Sequence, residues 1–523
     1  MAVELTGKRM PWDRLSASAL VLALVATFLV YGSVMLAFLD RTLEHGWYPF
    51  GNDYGEGPVL FQVAALASGE SLYRPIAEAP FAVANYPPVF HYVAWLLTGL
   101  TGDPLVAGRL ASFLGSLASG ALIFTLVHGV LHRDHGTMAR RLGGAMAALF
   151  FLSHYTVIGW SSTMRVDTLA LALGLLGMQL FVLALRRPTL AWVYGLAFVM
   201  AAFTKPNMFA AALATFAAAF MLDRRRALVA ATVFAGAGLA AVVWLAIATD
   251  GEFLKHVAWY NINEYRFDLI LKRLRQSLFW RGVDIVLLFA GIGYLVIRLI
   301  SRPEIAPSVA RRRDPDLPLM LFGGLMAASL FNVVGAGKTG ASVSYFLEFE
   351  AAAALLLGTL VVRMTTFLSA DRWSPDCGRR RVMAIFALAV LCWQATVGWA
   401  VKFREPDWQA IAFSRQVAEM IATADGPVIS EEMVLLQRAG KPLYFQPFIM
   451  TRLAEDGRWD AAPLTQAMRR GDVAFVVLYS AIGSARYQRR FPEGFRAALE
   501  TRYDQVAQVG HLGVFAPRQT APR

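Results

Sequence analysis

The stretch LSASALVLALVATFLVYGSVMLAF, residues 15–38, is soon followed by Gly51-Asn52-Asp53-Tyr54-Gly55-Glu56-Gly57-Pro58. The first stretch carries no charge and exceeds the roughly 20 apolar residues that a membrane-spanning helix needs. It is too long for the apolar part of a signal peptide, and no small-residue cleavage site follows it. We therefore predict a retained transmembrane helix, followed by a glycine-rich turn that holds two carboxylates, Asp53 and Glu56.

The composition of the whole chain is typical of a polytopic membrane protein. Of 523 residues, 57% are hydrophobic and 16% are charged, whereas soluble domains have about 25% charged residues. The formal net charge is +12, but Lys and Arg cluster between apolar segments, which indicates membrane topology and not a nucleic-acid-binding face. Cys377 lies in a basic loop and Cys392 in a predicted helix, so the sequence does not favour a disulfide.

The lengths of the apolar segments predict about eleven spans in a mainly α-helical fold. The predicted spans are residues 15–38, 105–131, 142–158, 167–185, 189–203, 207–222, 227–248, 282–300, 317–334, 346–363 and 382–400. The segment 87–100 is ambiguous, because at about 1.5 Å per residue it reaches only about 21 Å. Counted as a span, it would reverse every later loop.

Basic residues decide between the two topologies. If 87–100 lies along the interface, the same side as the N-terminus receives most basic clusters: Lys8/Arg9/Arg14, Arg133/Arg140/Arg141, Arg186/Arg187, Arg224/Arg225/Arg226, Arg311/Arg312/Arg313 and Arg379/Arg380/Arg381. The positive-inside rule makes that side cytoplasmic. Residues 58–68 and 87–100 then become juxtamembrane helices on the outer surface.

This topology brings the unusual polar residues together at the outer face. They are Asp53, Glu56, Arg109, Arg165, Asp167 and Lys205, with the loops 249–281 and 335–345. The topology is chosen from the positions of the basic loops alone. The convergence of these other polar residues is therefore a separate indication of one outward-facing site. We predict a transmembrane catalytic domain over residues 1–400, with a first outer loop 39–104 and a basic outer loop 249–281.

Residues 401–523 differ in character and predict a small extracytoplasmic α/β domain. Helix-like stretches cover 407–424 and 461–470, and short β-like runs cover 427–430 and 474–478. This part contains no catalytic motif that we recognise.

The two acids of the turn have two interpretations. A carboxylate among glycines is suited to act as a general base or to bind a divalent cation such as Mg or Mn. Alternatively, Asp53 and Glu56 are solvated acids in a turn before a helix that Asp caps. Arg165 and Asp167 likewise form either an anion site or an ion pair with a helix cap.

Several cations near the outer face predict an anionic ligand. Lys205 either reaches the interface or holds a lipid phosphate. The stretch 267–280 of the basic loop, with Arg273 and Arg275, has the spacing of an interfacial helix, which either attracts anionic headgroups or covers a phosphate-bearing substrate. The run 335–340 lacks phosphate-loop spacing, so we reject ATP binding, and Lys338 and Tyr345 are candidates to hold a head group.

These residues, taken in order, resemble the GT-C glycosyltransferases, and in particular the family of protein O-mannosyltransferases and bacterial aminoarabinose transferases of lipid A. The resemblance covers roughly residues 15–365. It rests on the acid after the first span, Leu72-Tyr73, the Tyr86-Pro87-Pro88 turn, Gly108-Arg109-Leu110, Arg165-Val166-Asp167, Thr204-Lys205 and the Tyr345 region.

The resemblance implies a role for each matching residue. Asp53 is the implied catalytic acid/base residue, with Glu56 as the alternate. Lys205 and Tyr345 match positions that contact the lipid-linked phosphate, and Arg273 or Arg275 adds a cation. Aminoarabinose transferases have Glu-Lys before the paired prolines, and this chain has Asn85-Tyr86 instead.

We therefore expect an inverting glycosyltransferase of the bacterial inner membrane. It would move a sugar from a polyprenyl-phosphate carrier to a lipid, glycan or protein acceptor. The alternatives are a transporter or flippase, although neither an internal repeat nor mid-membrane charge is apparent in the sequence, and a membrane-anchored receptor that acts through residues 401–523. No zinc-ligand spacing and no Ser-His-Asp arrangement is apparent.

Overall fold

Helices form most of the computed structural model, which describes residues 11–131, 135–278, 281–301, 317–369, 375–402 and 408–518. The helices up to residue 402 are α1 (Pro11–Gly46), α2 (Glu56–Ala67), α3 (Val89–Thr101), α4 (Pro104–Val130), α5 (Thr137–Leu152), α6 (Tyr155–Ser161), α7 (Asp167–Ala184), α8 (Val193–Ala202), α9 (Ala210–Leu222), α10 (Arg224–Ala248), α11 (Glu252–Val257), α12 (Phe267–Leu278), α13 (Gly282–Ser301), α14 (Leu317–Gly335), α15 (Leu347–Ser369) and α16 (Pro375–Lys402). The predicted mainly helical fold is confirmed. The basic residues Lys8, Arg9, Arg133 and 311–313 lie outside the described residues.

The chain is a multi-pass membrane protein. Five helices of its described part are long and apolar enough to cross a bilayer, and a sixth candidate is the bent pair α5 and α6. The five are Leu15–Gly46, Pro104–Val130, Asp167–Ala184, Arg224–Ala248 and Val343–Thr365. The other predicted spans correspond to shorter apolar helices, so the number eleven stays a prediction.

The sequence predicted one span over residues 142–158, but the structure has two helices there. Helices α5 and α6 meet at an angle of 68°. His154 between them has extended backbone angles, and its Nε2 atom lies 2.9 Å from a carboxylate oxygen of Asp284 on α13. On α6, Thr156 donates a 2.7 Å hydrogen bond to buried Glu350 on α15. Polar partners distant in sequence hold the bend, so hydropathy alone does not reveal it.

Two short helices follow α1, as predicted for the segments 58–68 and 87–100. Helix α3 has 13 residues, about 20 Å at 1.5 Å per residue, which is too short to cross a bilayer unaided. It buries Phe90 and Ala94 and exposes Leu96 and Leu100. An apolar face left open on a short helix agrees with a position along the interface. The helix predicted at 267–280 is observed as α12, which ends at Leu278, and residues 279–280 lie outside the described residues.

The C-terminal part is the predicted small α/β unit. It contains α17 (Trp408–Ala422), β1 (Val428–Ser430), α18 (Met433–Arg438), α19 (Pro447–Glu455), α20 (Ala462–Arg470), β2 (Phe475–Leu478), α21 (Ala485–Arg490), α22 (Glu493–Arg502), β3 (Tyr503–Val509) and β4 (Leu512–Pro517). The strand order in its described sheet is β1-β2-β4-β3, with β1 parallel to β2 and the other pairs antiparallel. The sequence predicted α17, α20, β1 and β2 but missed the β3–β4 hairpin.

This α/β unit packs directly on the first long loop. The Phe81 amide donates to the Tyr444 carbonyl and the Gln446 amide donates to the Phe81 carbonyl, both at 2.9 Å. The Trp459 indole donates to the Ile76 carbonyl at 2.9 Å. Backbone contacts of this kind hold the unit over the loop that carries Asp53 and Glu56.

Candidate active site

The glycine-rich turn is built on a buried ion pair between Glu56 and Arg109. Arg109 on α4 donates from Nε and Nη2 to the two oxygens of Glu56 at 2.8 and 2.9 Å. The exposed fractions of the two side chains are 0% and 1%. Glu56 also accepts from the backbone amides of Asn52 at 2.6 Å and Met164 at 2.7 Å. Burial raises the pKa of Glu56, but Arg109 and the amide donors outweigh it and hold the pKa below its usual value.

Glu56 and Arg109 therefore form a buried ion pair that stabilises the turn. The Asp53 amide adds a 3.3 Å contact to Glu56, so that five donors surround this carboxylate. The Glu56 side chain is also shielded from solvent. The sequence-based expectation that Glu56 is the alternate catalytic acid does not fit this geometry. Arg109, predicted from the sequence to lie at the outer face, also donates to the Phe50 carbonyl at 2.6 Å and so holds both ends of the turn.

Asp53 is the acid of the turn that faces outward, with 45% of its side chain exposed. Its Oδ1 atom accepts from the Gly55 amide at 2.9 Å and from Arg165 Nη1 at 3.2 Å. A Cβ atom at Gly55 would lie 1.4 Å from Arg165 Nη1. Glycine at position 55 is what allows the guanidinium to approach Asp53 across the turn.

A second buried ion pair lies beneath Arg165. Lys205 donates to Asp167 at the start of α7, and its ammonium also lies 3.4 Å from the Ser344 hydroxyl. Arg165 Nε is 3.9 Å from the other Asp167 oxygen. Burial lowers the pKa of Lys205, but the Asp167 carboxylate outweighs it, so that the pKa is raised and the side chain stays charged.

A cavity of about 260 Å³ connects these groups. The predicted residues Asn85, Tyr86, Arg165, Lys205, Lys338 and Tyr345 line it. Tyr345 also presents its ring to Lys205, with the ammonium 4.9 Å from the ring centroid. Asp53 and Asp167 do not line the cavity themselves. Each is paired with a cation that does, Asp53 with Arg165 and Asp167 with Lys205. The structure thus brings together most of the residues that the sequence placed at the outer face.

The turn after α14 contributes the remaining cation. Lys338 Nζ donates to Asn261 Oδ1 at 3.2 Å, and burial lowers the pKa of Lys338. Gly340 has φ +85, a backbone conformation that glycine adopts without strain. Within the described residues, no carboxylate pairs with Lys338.

The two cations predicted on α12 occupy different positions. Arg273 is half-buried and donates through Nη2 to the Ala341 carbonyl, at the cavity wall. Arg275 is exposed, and neither arginine is among the described residues that line the cavity. Of the two, Arg273 alone contacts a residue of the cavity wall, and its role as a cation for the phosphate stays a prediction.

The C-terminal unit forms part of the cavity wall, which the sequence did not predict. Gln446, Phe448 and Ile449 line it, and the Phe448 amide donates to the Tyr54 hydroxyl at 2.9 Å. The guanidinium of Arg490 lies 3.9 Å from the Tyr54 ring centroid. The lining residues Gln446, Phe448 and Ile449 are uncharged and belong to no recognisable sequence motif. Only the fold shows that they reach the cavity.

A third acid, Glu432, stands next to the turn. A Cβ atom at Gly51 would lie 2.5 Å from Glu432 Oε1. Burial, and the nearby Glu56 carboxylate, raise the pKa of Glu432 to about 7. No pattern in the sequence connects an acid at position 432 with a turn near position 51.

The carboxylates here do not fit the divalent cation considered from the sequence. Asp53, Glu56 and Asp167 are paired with Arg165, Arg109 and Lys205. The described residues contain no group of three His, Cys, Asp or Glu side chains arranged to hold a metal ion. Arg165, Arg109 and Lys205 already balance the charge of these carboxylates.

The fold is shared with solved membrane transferases. No protein-family model matches the sequence, and no curated protein sequence matches it significantly. ArnT from Cupriavidus metallidurans bound to undecaprenyl phosphate superposes with a TM-score of 0.56 at 14% identity, over 96% of this chain and 99% of that chain. The apo oligosaccharyltransferase from Archaeoglobus fulgidus gives 0.57 at 12% identity, over 94% and 74%.

A third structure agrees with these two. The oligosaccharyltransferase AglB from Archaeoglobus fulgidus, in complex with an inhibitory peptide and a dolichol-phosphate, gives a TM-score of 0.52 at 11% identity, over 95% of this chain and 75% of that chain. ArnT and AglB are GT-C proteins, and the chain has the GT-C fold that the resemblance implied.

Proposed function

We propose that this protein is an inverting glycosyltransferase that uses a polyprenyl-phosphate-linked sugar. The observation that carries the proposal is the position of one exposed carboxylate, Asp53, beside a cavity with three cationic side chains, Arg165, Lys205 and Lys338. A base next to a cationic pocket suits the transfer of a sugar from an anionic leaving group. The shared fold with ArnT and AglB supports the same assignment.

In the proposed reaction, Asp53 accepts a proton from the acceptor nucleophile. The nucleophile attacks the anomeric carbon as the bond from that carbon to the phosphate oxygen breaks, which inverts the anomeric centre. The proton stays on Asp53 until it passes to solvent, to which this side chain is exposed. Arg165 holds Oδ1 of Asp53 at 3.2 Å, which leaves Oδ2 for the acceptor.

The leaving group is a polyprenyl phosphate that gains negative charge as the bond breaks. Arg165 and Lys205 are already opposed by Asp53 and Asp167. Lys338 and Arg273 have no carboxylate partner within the described residues. We therefore propose that these two cations stabilise the negative charge that the phosphate gains. The Lys205 ammonium and the Tyr345 hydroxyl complete the phosphate site, and a bound anion would offset the effect of burial on Lys338.

The active site and residues 401–523 are proposed to face the outside of a bacterial inner membrane, with the N-terminus inside. The distribution of basic loops in the sequence supports this orientation. A polyprenyl carrier keeps its tail in the bilayer, which agrees with a cavity at the ends of apolar helices. The acceptor is a lipid, glycan or protein at that surface.

The test is transfer by purified protein in lipid nanodiscs. A set of undecaprenyl-phosphate sugars with radiolabelled sugar is supplied with extracted envelope lipids, glycans and proteins, and labelled product is separated from donor. We expect product with one donor, and Lys338→Ala should raise the donor KM by about 10-fold or more while the matched control Lys272→Ala, exposed on α12, leaves it unchanged. Movement of donor between leaflets without any product would indicate a flippase and contradict the proposal.

A further inference from the structure

One wall of the cavity is formed by neutral amides and a hydroxyl. Residues 263–266 run antiparallel to 337–339: the Thr339 amide donates to the Glu264 carbonyl and the Arg266 amide donates to the Gly337 carbonyl, both at 2.9 Å. Tyr265 and Lys338 form the bridge between the two segments. This pairing sets Asn263 beside Thr339, and both residues line the cavity.

Hydrogen bonds fix which way two of the amides point. Asn263 Nδ2 donates to the Thr339 carbonyl at 3.2 Å, and Asn261 Nδ2 donates to the Asn85 carbonyl at 3.2 Å. In each asparagine the side-chain nitrogen is the donor and therefore faces the backbone carbonyl. The side-chain oxygen must then point away from that carbonyl. For Asn261 that oxygen accepts from Lys338. For Asn263 it has no protein partner.

Three polar atoms of this wall are buried without a hydrogen bond. They are Oδ1 of Asn85, Oδ1 of Asn263 and Oγ1 of Thr339. Leaving such groups unpaired is unfavourable, and native proteins rarely do so unless a ligand or water completes them. Two of the three are carbonyl-type oxygens, which accept from hydroxyl donors, and the third is a hydroxyl that both donates and accepts.

The charges of the cavity restrict the ligand further. Among its described lining residues there is no Asp or Glu, and the cations are Arg165, Lys205 and Lys338. A sugar with an ammonium group would face like charge, and the Asp53 carboxylate beside the cavity is already paired with Arg165. A sugar with a carboxylate would compete with the phosphate for Lys338 and Arg273, the two cations that lack an acidic partner.

We infer that the transferred sugar is uncharged and that Asn85, Asn263 and Thr339 bind its hydroxyl groups. This inference rests on the proposed function, because it assigns the sugar part of the same donor. Asparagine amides and a threonine hydroxyl match a neutral hexose or pentose, which offers several hydroxyl donors and acceptors. Together they make the wall a specificity site, while the cations bind the phosphate.

The test compares binding of four probes to the full-length protein in nanodiscs by competition with labelled undecaprenyl phosphate. The probes are undecaprenyl phosphate itself and its neutral-hexose, amino-sugar and uronic-acid derivatives. We expect the neutral-hexose derivative to bind about tenfold or more tightly than bare undecaprenyl phosphate, and neither charged derivative to do so. Equal binding of all four probes, or preference for a charged sugar, would overturn the inference.

Variants separate this inference from the proposed function. Asn263→Ala and Thr339→Val should remove the preference for the neutral sugar while affinity for bare undecaprenyl phosphate stays within about twofold. Gln488→Ala, an exposed amide on α21, is the matched control. Asn263→Asp should improve binding of the amino-sugar probe, which a misfolded variant would not do. A preference that survives in the variants contradicts the sugar assignment alone, whereas failure of wild-type protein to bind bare undecaprenyl phosphate contradicts both proposals.

Discussion

Arg109 donates two hydrogen bonds to Glu56 across 53 residues of sequence, at 2.8 and 2.9 Å. Both side chains are buried, and the same two residues hold the backbone from Phe50 to Asp53. The pair therefore sets the path of the chain just before the proposed catalytic acid. Its position links the folding of the turn to the placement of Asp53.

Breaking this pair should destabilise the protein. Removal of one member leaves the other as a buried charge without a partner, an effect of roughly 3–5 kcal/mol. We expect Glu56→Gln and Arg109→Met each to lower the apparent Tm of the detergent-solubilised protein strongly. The exposed pair Arg74 and Glu70, at 2.8 Å, provides the control, since Glu70→Gln should change the Tm little. If Glu56→Gln kept the wild-type Tm and lost only activity, Glu56 would instead be a catalytic group.

Gly55→Ala should reduce activity without unfolding the protein. The backbone at Gly55 has φ −74 and ψ −7, which alanine adopts readily, but its Cβ would displace Arg165. Because a shift of about 1 Å at a reacting group can cost about 100-fold in rate, we expect kcat to fall 10- to 100-fold. Gly46→Ala is the control, since nothing lies within 4 Å of its Cβ position. Equal activity of the two variants would show that the contact between Arg165 and Asp53 is not used.

Glu432 should make stability depend on pH. Its pKa is raised from the usual value near 4.5 to about 7 in the folded protein, so the folded state binds the extra proton between these values. Stability from this group is full below about pH 4.5 and is lost as pH rises through 7. We expect Glu432→Gln to raise the free energy of unfolding at pH 8 by at most about 3 kcal/mol, and with it the Tm, and to leave both unchanged near pH 4.5. A variant with the same Tm difference at both pH values would rule out protonation of Glu432 as the cause.

Activity should not require a divalent cation. Asp53, Glu56 and Asp167 are each paired with Arg or Lys, and cations of this kind perform the charge stabilisation that a metal would otherwise supply. We expect transfer rates after EDTA treatment to stay within about twofold of untreated protein. Loss of transfer with EDTA and recovery with Mg or Mn would mean that Asp53 or Asp167 leaves its ion pair when substrate binds.

The sequence predicted the helices well because runs of apolar residues carry their own signal. It also brought Asp53, Arg165 and Lys205 to one face, since charges at the ends of spans are few and stand out. It did not predict that Glu56 pairs with Arg109, because a partner 53 residues away leaves no local pattern.

Other parts of the site also depend on the tertiary fold. Asn263 and Thr339 meet through a backbone pairing between two loops, and Gln446 and Phe448 reach the cavity from a separate α/β unit. Neutral polar residues of this kind are common on any surface. Their sequence positions alone do not distinguish a sugar-binding wall from an ordinary loop.

The most direct test of the account is the transfer rate of Asp53→Asn. Asparagine keeps an oxygen for the Gly55 amide but cannot accept the proton of the acceptor, and the position is exposed, so folding should be preserved. We predict an unchanged Tm, unchanged binding of undecaprenyl phosphate within about twofold, and a fall in kcat of at least about 100-fold. A folded Asp53→Asn protein that transfers sugar at close to the wild-type rate would contradict the assignment of Asp53 as the catalytic base.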